Sequence, residues 1–260
     1  VKAAAFTFEA AENLTGASRA MAQGARPVAG GQSLGPMLNL RITQPEFLVS
    51  LQKIPEIASV SETATHIAIG AGVTHAQIED GLTPDIGNGI LANIAAGIAY
   101  RAVRNRGTIG GSLCHADPAA DWPTTLTALG ASAIIFTPAG PHTIPLRDFF
   151  TGAFRTMLAP GEILRAVQVP KFSPGARFGY FKACRKPGEF AHAMAAVFES
   201  PATRRVVIGA LGAAPLCLEG EQAAPHAVAS ALHASTPNMD EIDRHMQLIA
   251  VKRAFEKLAA

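Results

Sequence analysis

Two short stretches carry residues able to hold a charged ligand without charged side chains. "VAGGQSLG" (28–35) sets Gly30 and Gly31 side by side, followed by the amide of Gln32 and the hydroxyl of Ser33. "RNRGTIGGSLCHADPAADW" (104–122) repeats the device with Gly110 and Gly111, Thr108 before them and Ser112 after. Glycine leaves consecutive backbone N–H groups unobstructed, and such a run forms a concave nest for phosphate oxygens. A plain strand-to-helix turn accounts for either stretch taken singly. The pair points instead to a diphosphate gripped between two nests. Neither is a G-x-G-x-x-G turn opening a helix in a βαβ unit, nor a G-x-x-x-x-G-K-[ST] loop, which disfavours a Rossmann site or a P-loop.

Metal chemistry is not expected. His115, Asp117 and Asp121 share an irregular loop but lack a further nitrogen or sulfur ligand nearby. Cys114, Cys184 and Cys217 are odd in number and widely spaced, giving neither a disulfide framework nor an iron–sulfur ligand set. Arg101, Arg104 and Arg106 form the one local basic cluster. They either soften phosphate charge from behind the nest or are solvated or meet a partner chain; the second reading is preferred, because amides already neutralise the phosphate.

Elements must bring these stretches together. A strand is expected around Phe6 and Phe8, then a helix capped by Asn13 or Thr15 and ended at Gly24. "RPVAGG" reads as a strand opening into the first glycine turn, "LGPMLNLRI" as a helical turn or two, and "PEFLVSL" as a strand. Residues 57–73 suggest two short strands around a polar turn, followed by a short helix capped by Thr74. Ile86, Ile90, Ile94 and Ile98 recur at helical spacing. A glycine-rich loop over 107–112, a helix over 119–129 and strands over 132–136 and 161–170 follow. Beyond 171 come three segments read as strands, of which 190–198 is ambiguous, and two helices, the clearer over 239–258. The expected organisation is α+β, with a β/α lobe over 1–52, an α+β lobe over 53–170 and a C-terminal α+β domain over 171–260.

Composition sets the outer limits. The chain has 260 residues, enough for a large core. Its net charge is +2, from 22 basic and 20 acidic residues, with no Lys/Arg block, which argues against nucleic acid as a partner. Charged residues make up 16%, against about 25% in typical soluble domains. Either the core is rich in alanine or part of the surface is covered by other subunits. The best apolar run, "GILANIAAGIAY" (89–100), is too short for a membrane span and carries Asn93. No secretory signal pattern is seen, so a cytoplasmic location is expected.

Together "AGGQSLGPMLNLR" and "RNRGTIGGSLCHADPAAD" resemble the FAD-binding medium subunit of the molybdenum hydroxylases, the carbon monoxide dehydrogenase and xanthine dehydrogenase family. The resemblance covers essentially the whole chain, taking in "APGEIL", "YFKACRKPGEFAHAMAAV" and "VKRAFEKL". It implies a two-lobed FAD-binding domain of the PCMH (VAO-like) type, then a domain of three-stranded sheet plus helices. Val28, Ala29, Gly30, Gly31, Gln32, Ser33, Leu34 and Gly35 would line the FAD diphosphate. Thr108, Ile109, Gly110, Gly111 and Ser112 would bind the cofactor's other side. Asp121, Leu164 and Lys182 fall on flavin-contacting positions, Lys182 as a charge that would tune the reduced ring. Phe190 matches an aromatic position beside the isoalloxazine, and Ile98 stands where some relatives carry an aromatic. No residue of this chain would be catalytic toward the substrate. A small iron–sulfur subunit with [2Fe-2S] clusters and a large subunit with the molybdenum cofactor would complete a dimer of heterotrimers. The alternative is a self-contained FAD-dependent oxidase of the same fold, with His115 and Cys114 placed for covalent flavin attachment.

Overall fold

The computed structural model describes residues 2–258. Three larger sheets divide the chain, beside a two-stranded ribbon of Phe150–Gly152 and Arg155–Thr156. Near the N-terminus, Thr7–Ala10, Phe47–Ser50 and Arg26–Val28 lie in that spatial order, all parallel. The helix Leu14–Ala22 makes the first crossover, and the Asn13 side chain accepts from Gly16 N–H at its start. The second crossover holds the first glycine turn and the short helix Leu34–Asn39. Parallel neighbours need such crossovers, so this glycine turn necessarily stands at the C-terminal end of a strand.

The second sheet is antiparallel and five-stranded, in the order Val60–Glu62, His66–Gly70, Ile163–Pro170, Ser132–Phe136, His142–Pro145. Its central strand, Ile163–Pro170, comes last in sequence and closes the unit. A capping box made by Thr74 and Gln77 starts the helix His75–Glu79. Helix Ile90–Ala96 is shorter than the isoleucine periodicity suggests: Ile86 and Ile98 fall outside it, Ile86 still buried in the core.

The third sheet corrects the expected three strands. Arg177–Ala183, Ala193–Glu199 and Arg204–Gly209 are joined by a fourth, Leu216–Glu219, paired along Val206–Leu218. Only four residues long and followed directly by a 3₁₀ turn, that edge strand gives little periodicity to read. Helices Val228–Ser235 and Glu241–Glu256 cover one face of the sheet. Helix Asp121–Ala128 of the preceding region packs on the other, through Ala128, Ala196 and Val207. Strand Ala193–Glu199 is thus covered on both faces and buried from Ala193 to Val197, which explains its lack of polar alternation and its ambiguity in the sequence.

Helix Asp121–Ala128 is itself buried throughout although three of its residues are threonine. Thr125 and Thr127 donate their hydroxyls back to the Asp121 and Pro123 carbonyls, at 2.8 and 2.6 Å. The fold therefore places this helix under the N-terminal core cluster and against the third sheet at once.

Candidate functional site

A cleft of ≈ 1160 Å³ runs between the first two sheets and is overhung by the loop that precedes Ala193. Both glycine stretches line it: Val28 to Leu34 from one side, and Thr108, Gly110, Gly111 and Ser112 from the other. They also touch each other. A Cβ on Gly30 would fall 1.9 Å from the Arg106 carbonyl oxygen, and one on Gly111 would lie 3.5 Å from the Ala29 Cβ. Gly30 is therefore required by chain–chain approach. Gly31 is required by its backbone, at φ +73°, with only the Val28 side chain near it.

The two stretches differ in what they offer. From Gly30 to Leu34 the backbone N–H groups make no hydrogen bond to other described residues, and the next, Gly35 N–H, closes the turn on Gly31 O at 2.9 Å. This is one nest, lining the cleft. The second stretch is not a nest and not a loop, contrary to the sequence expectation. It is the first turn of helix Ile109–His115. Ile109 and Gly110 N–H donate to Val73 O and Ala71 O, and Gly111 N–H to Thr108 Oγ1 at 3.0 Å. A Cβ on Gly110 would stand 2.3 Å from the Ala71 Cβ, so that glycine serves packing. What remains for a ligand here is the Ser112 hydroxyl and a smooth wall.

Of the residues expected at the site, Ile98, Asp121, Leu164 and Phe190 also line the cleft. Phe190 is 63% exposed at its mouth, and Leu164 is buried at an irregularity in the central strand. Gly35, Ile109 and Lys182 do not line it: Ile109 is wholly in the core. The Lys182 ammonium instead donates to Asp121 Oδ1 at 2.8 Å and to the Gly97 carbonyl at 2.9 Å. Tyr180, two residues earlier on the same strand face, donates its hydroxyl to the same Asp121 oxygen at 2.8 Å. Burial pushes the Asp121 carboxyl up, and Lys182 and Tyr180 oppose that shift. Burial, and then Asp121, push the Tyr180 phenol well above its ordinary value.

Two of the three clustered arginines, Arg101 and Arg104, are tied into ion pairs, while Arg106 is exposed with no side-chain partner among the described residues. Arg104 makes a two-point contact with Glu79, at 2.8 and 2.9 Å, and its remaining Nη1 holds the Ile98 and Ala99 carbonyls, both at 2.9 Å. Arg101 binds Glu79 and Asp80. Arg104 thereby fixes the cleft wall at Ala99, whose φ is +44° and whose N–H reaches Gly188 O. Sequence reasoning missed this anchor, since its acidic partners lie on a separate helix. It also missed Tyr180, which the period-2 relation to Lys182 would have exposed, and His75. Among the described residues no group of three or more His, Cys, Asp or Glu is placed to hold a metal.

A cleft lined by a run of free amides and by apolar side chains such as Ile98 and Leu164 is suited to a phosphate-bearing ligand with a ring system, the site of a nucleotide-binding protein. Residues 4–172 match the family model described as the FAD binding domain in molybdopterin dehydrogenase. The chain belongs to this family, the FAD-binding medium subunits of the molybdenum hydroxylases, which are oxidoreductase flavoproteins. It is 34% identical to 6-hydroxypseudooxynicotine dehydrogenase complex subunit alpha of Paenarthrobacter nicotinovorans, over 93% of this chain and 87% of that one. The carbon monoxide dehydrogenase medium chain of Hydrogenophaga pseudoflava is 37% identical over 66% of this chain and 60% of its own. In structure, a chain of the carbon monoxide dehydrogenase from that organism superposes with a TM-score of 0.88 at 31% identity, covering 100% of this chain and 99% of its own. A chain of quinoline 2-oxidoreductase from Pseudomonas putida 86 gives 0.86, also at 31%, covering 100% and 98%. No helix of the described residues is long and apolar enough to cross a membrane.

Proposed function

We propose that this chain holds FAD in the cleft, with the diphosphate on the amides of Gly30 to Leu34. That amide run, directed to no acceptor among the described residues, is the observation that carries the reading. The fit is chemical as well as spatial: the nest supplies neutral donors for phosphate, and Ile98 and Leu164 supply apolar walls for a ring system. Thr108, Gly110, Gly111 and Ser112 wall the opposite side, Asp121 accepts from cofactor donors, and Phe190 shields the mouth. Lys182 acts on the site through Asp121. Residues 1–52 and 53–170 form the two lobes of the FAD unit, and 171–260 a domain that backs it.

When bound, FAD supplies the exchange between single electrons from the [2Fe-2S] clusters of a small partner subunit and the electron pair given to an external acceptor. The substrate is oxidised at a molybdenum centre in a large partner subunit, and the assembly is a cytoplasmic dimer of heterotrimers. This chain binds and orients the cofactor and excludes water from it; no side chain here acts on the substrate.

The test is to purify the chain with its co-expressed neighbours, record the visible spectrum, then denature it and quantify what is released. One FAD per chain is expected. A chain that carries no flavin, alone or in the assembly, and takes up none on addition overturns the reading.

A further inference from the structure

His75 is a buried group lining the cleft that none of the roles above employs. The only tryptophan of the chain, Trp122, is fully buried and donates its indole N–H to His75 Nδ1 at 3.1 Å. A ring nitrogen that accepts carries no proton, so the proton of the neutral imidazole sits on Nε2. Burial, followed by the Arg104 charge, lowers the His75 pKa to about 4 and keeps the ring neutral.

Nε2 has no hydrogen-bond partner among the described residues, yet it is not sealed: the buried side-chain polar atoms left without a partner there are Thr124 Oγ1 and Gln247 Oε1. The ring lies against Gly107, where a Cβ would come within 3.0 Å of Nε2. The same Arg106–Gly107 backbone carries Gly30 of the nest packed upon it. A donor fixed in one tautomer therefore opens on the cleft beside the amide run.

We propose that His75 is a cofactor-contacting residue whose Nε2–H donates to a diphosphate oxygen of the bound dinucleotide, with Trp122 as the positioning residue that fixes its tautomer. The inference rests on the FAD reading above. A neutral donor suits this place, because the nest already offers neutral amides and a cation would break the bond from Trp122.

The test uses the full chain with ¹⁵N-labelled histidine, titrated with ADP, which carries a diphosphate and no isoalloxazine. The His75 signals are assigned by their loss in His75→Gln. The two ring ¹⁵N shifts should report an Nε2–H tautomer, with Nε2 moving as ADP saturates. His75→Leu should weaken ADP and FAD alike by about three- to tenfold, as expected for loss of one hydrogen bond. His75→Gln, which keeps an N–H donor, should stay within about twofold of the parent. An Nδ1–H tautomer, or an Nε2 signal unmoved at saturating ADP, overturns the proposal without recourse to a variant, as does undiminished affinity in His75→Leu. A parent that binds neither ADP nor FAD, alone or with its co-expressed neighbours, instead overturns the dinucleotide reading on which it rests.

Discussion

Lys182 and Asp121 behave as one group. With the ammonium and carboxylate 2.8 Å apart and both nearly buried, the cleft feels a dipole, not a free positive charge. Lys182→Met should therefore disturb folding more than flavin electronics: it strands a buried carboxylate, at a cost of about 3–5 kcal/mol. Urea titration of the parent and variant gives that difference; a variant as stable as the parent would contradict the pairing. At the two adjacent glycines the effects should separate. Gly30→Ala drives a methyl into the Arg106 carbonyl and should abolish folding, whereas Gly31→Ala has space and meets only its backbone strain. The Gly31 variant should fold, about 1 kcal/mol less stable, and show weakened FAD retention. The His75 ring gives a pH dependence. Its folded value lies below its unfolded value of 6.5, so the unfolded chain takes up the proton first. The stability it contributes is complete above about pH 6.5 and is lost as pH falls toward about 4, amounting to roughly 3 kcal/mol. Comparing denaturation midpoints of parent and His75→Gln across that window should show a steeper acid loss in the parent. Residue types and order made the first nest legible. They did not show that Lys182 is spoken for, because its partner lies on an element distant in sequence.

Among the elements, the strands of the first sheet, all those of the second except the edge strand His142–Pro145, and the long C-terminal helix were legible because their apolar spacing and caps agree with their surroundings. Helix Ile109–His115 was not. Two glycines in its first turn lower helix propensity; the approach of Ala71 requires Gly110, and a Cβ on Gly111 would come 2.8 Å from the capping Thr108 hydroxyl. The wall from Ile98 to Tyr100 has no regular structure and depends on Arg104 for its shape. Replacing Arg104 by Met should leave Glu79 without its two-point partner and free both carbonyls. Amide exchange at Ala99, whose N–H is bonded to Gly188, should rise by about tenfold or more, and FAD should dissociate faster. Unchanged exchange at Ala99 would show that the wall stands without its arginine.

For the molecule as a whole, the third sheet is joined to the cleft at several points. Tyr180 and Lys182 meet Asp121, Arg205 donates to Ala128 O at 2.9 Å, and Ala210 N–H bonds Pro118 O at 2.8 Å. The chain should therefore melt as one unit, and FAD should raise its midpoint. At a hundredfold excess over the dissociation constant the gain is about 2.7 kcal/mol. Calorimetry showing two transitions, only one of them moved by FAD, would contradict this coupling. The low charge content, legible at once, fits a chain made to be partly covered, and Phe8, Leu40 and Ile42 are exposed in the region of the first sheet.

The contact of Gly30 with the Arg106 carbonyl has a consequence for inheritance and for engineering. Neither glycine stretch is a portable cassette. A larger residue at Gly30 meets the Arg106–Gly107 backbone of the other stretch, so descendants of this sequence can change that position only together with residues 106 and 107. A graft of residues 28–35 onto a foreign scaffold would arrive without the surface that shapes it. The smallest transferable unit is the interlocked pair.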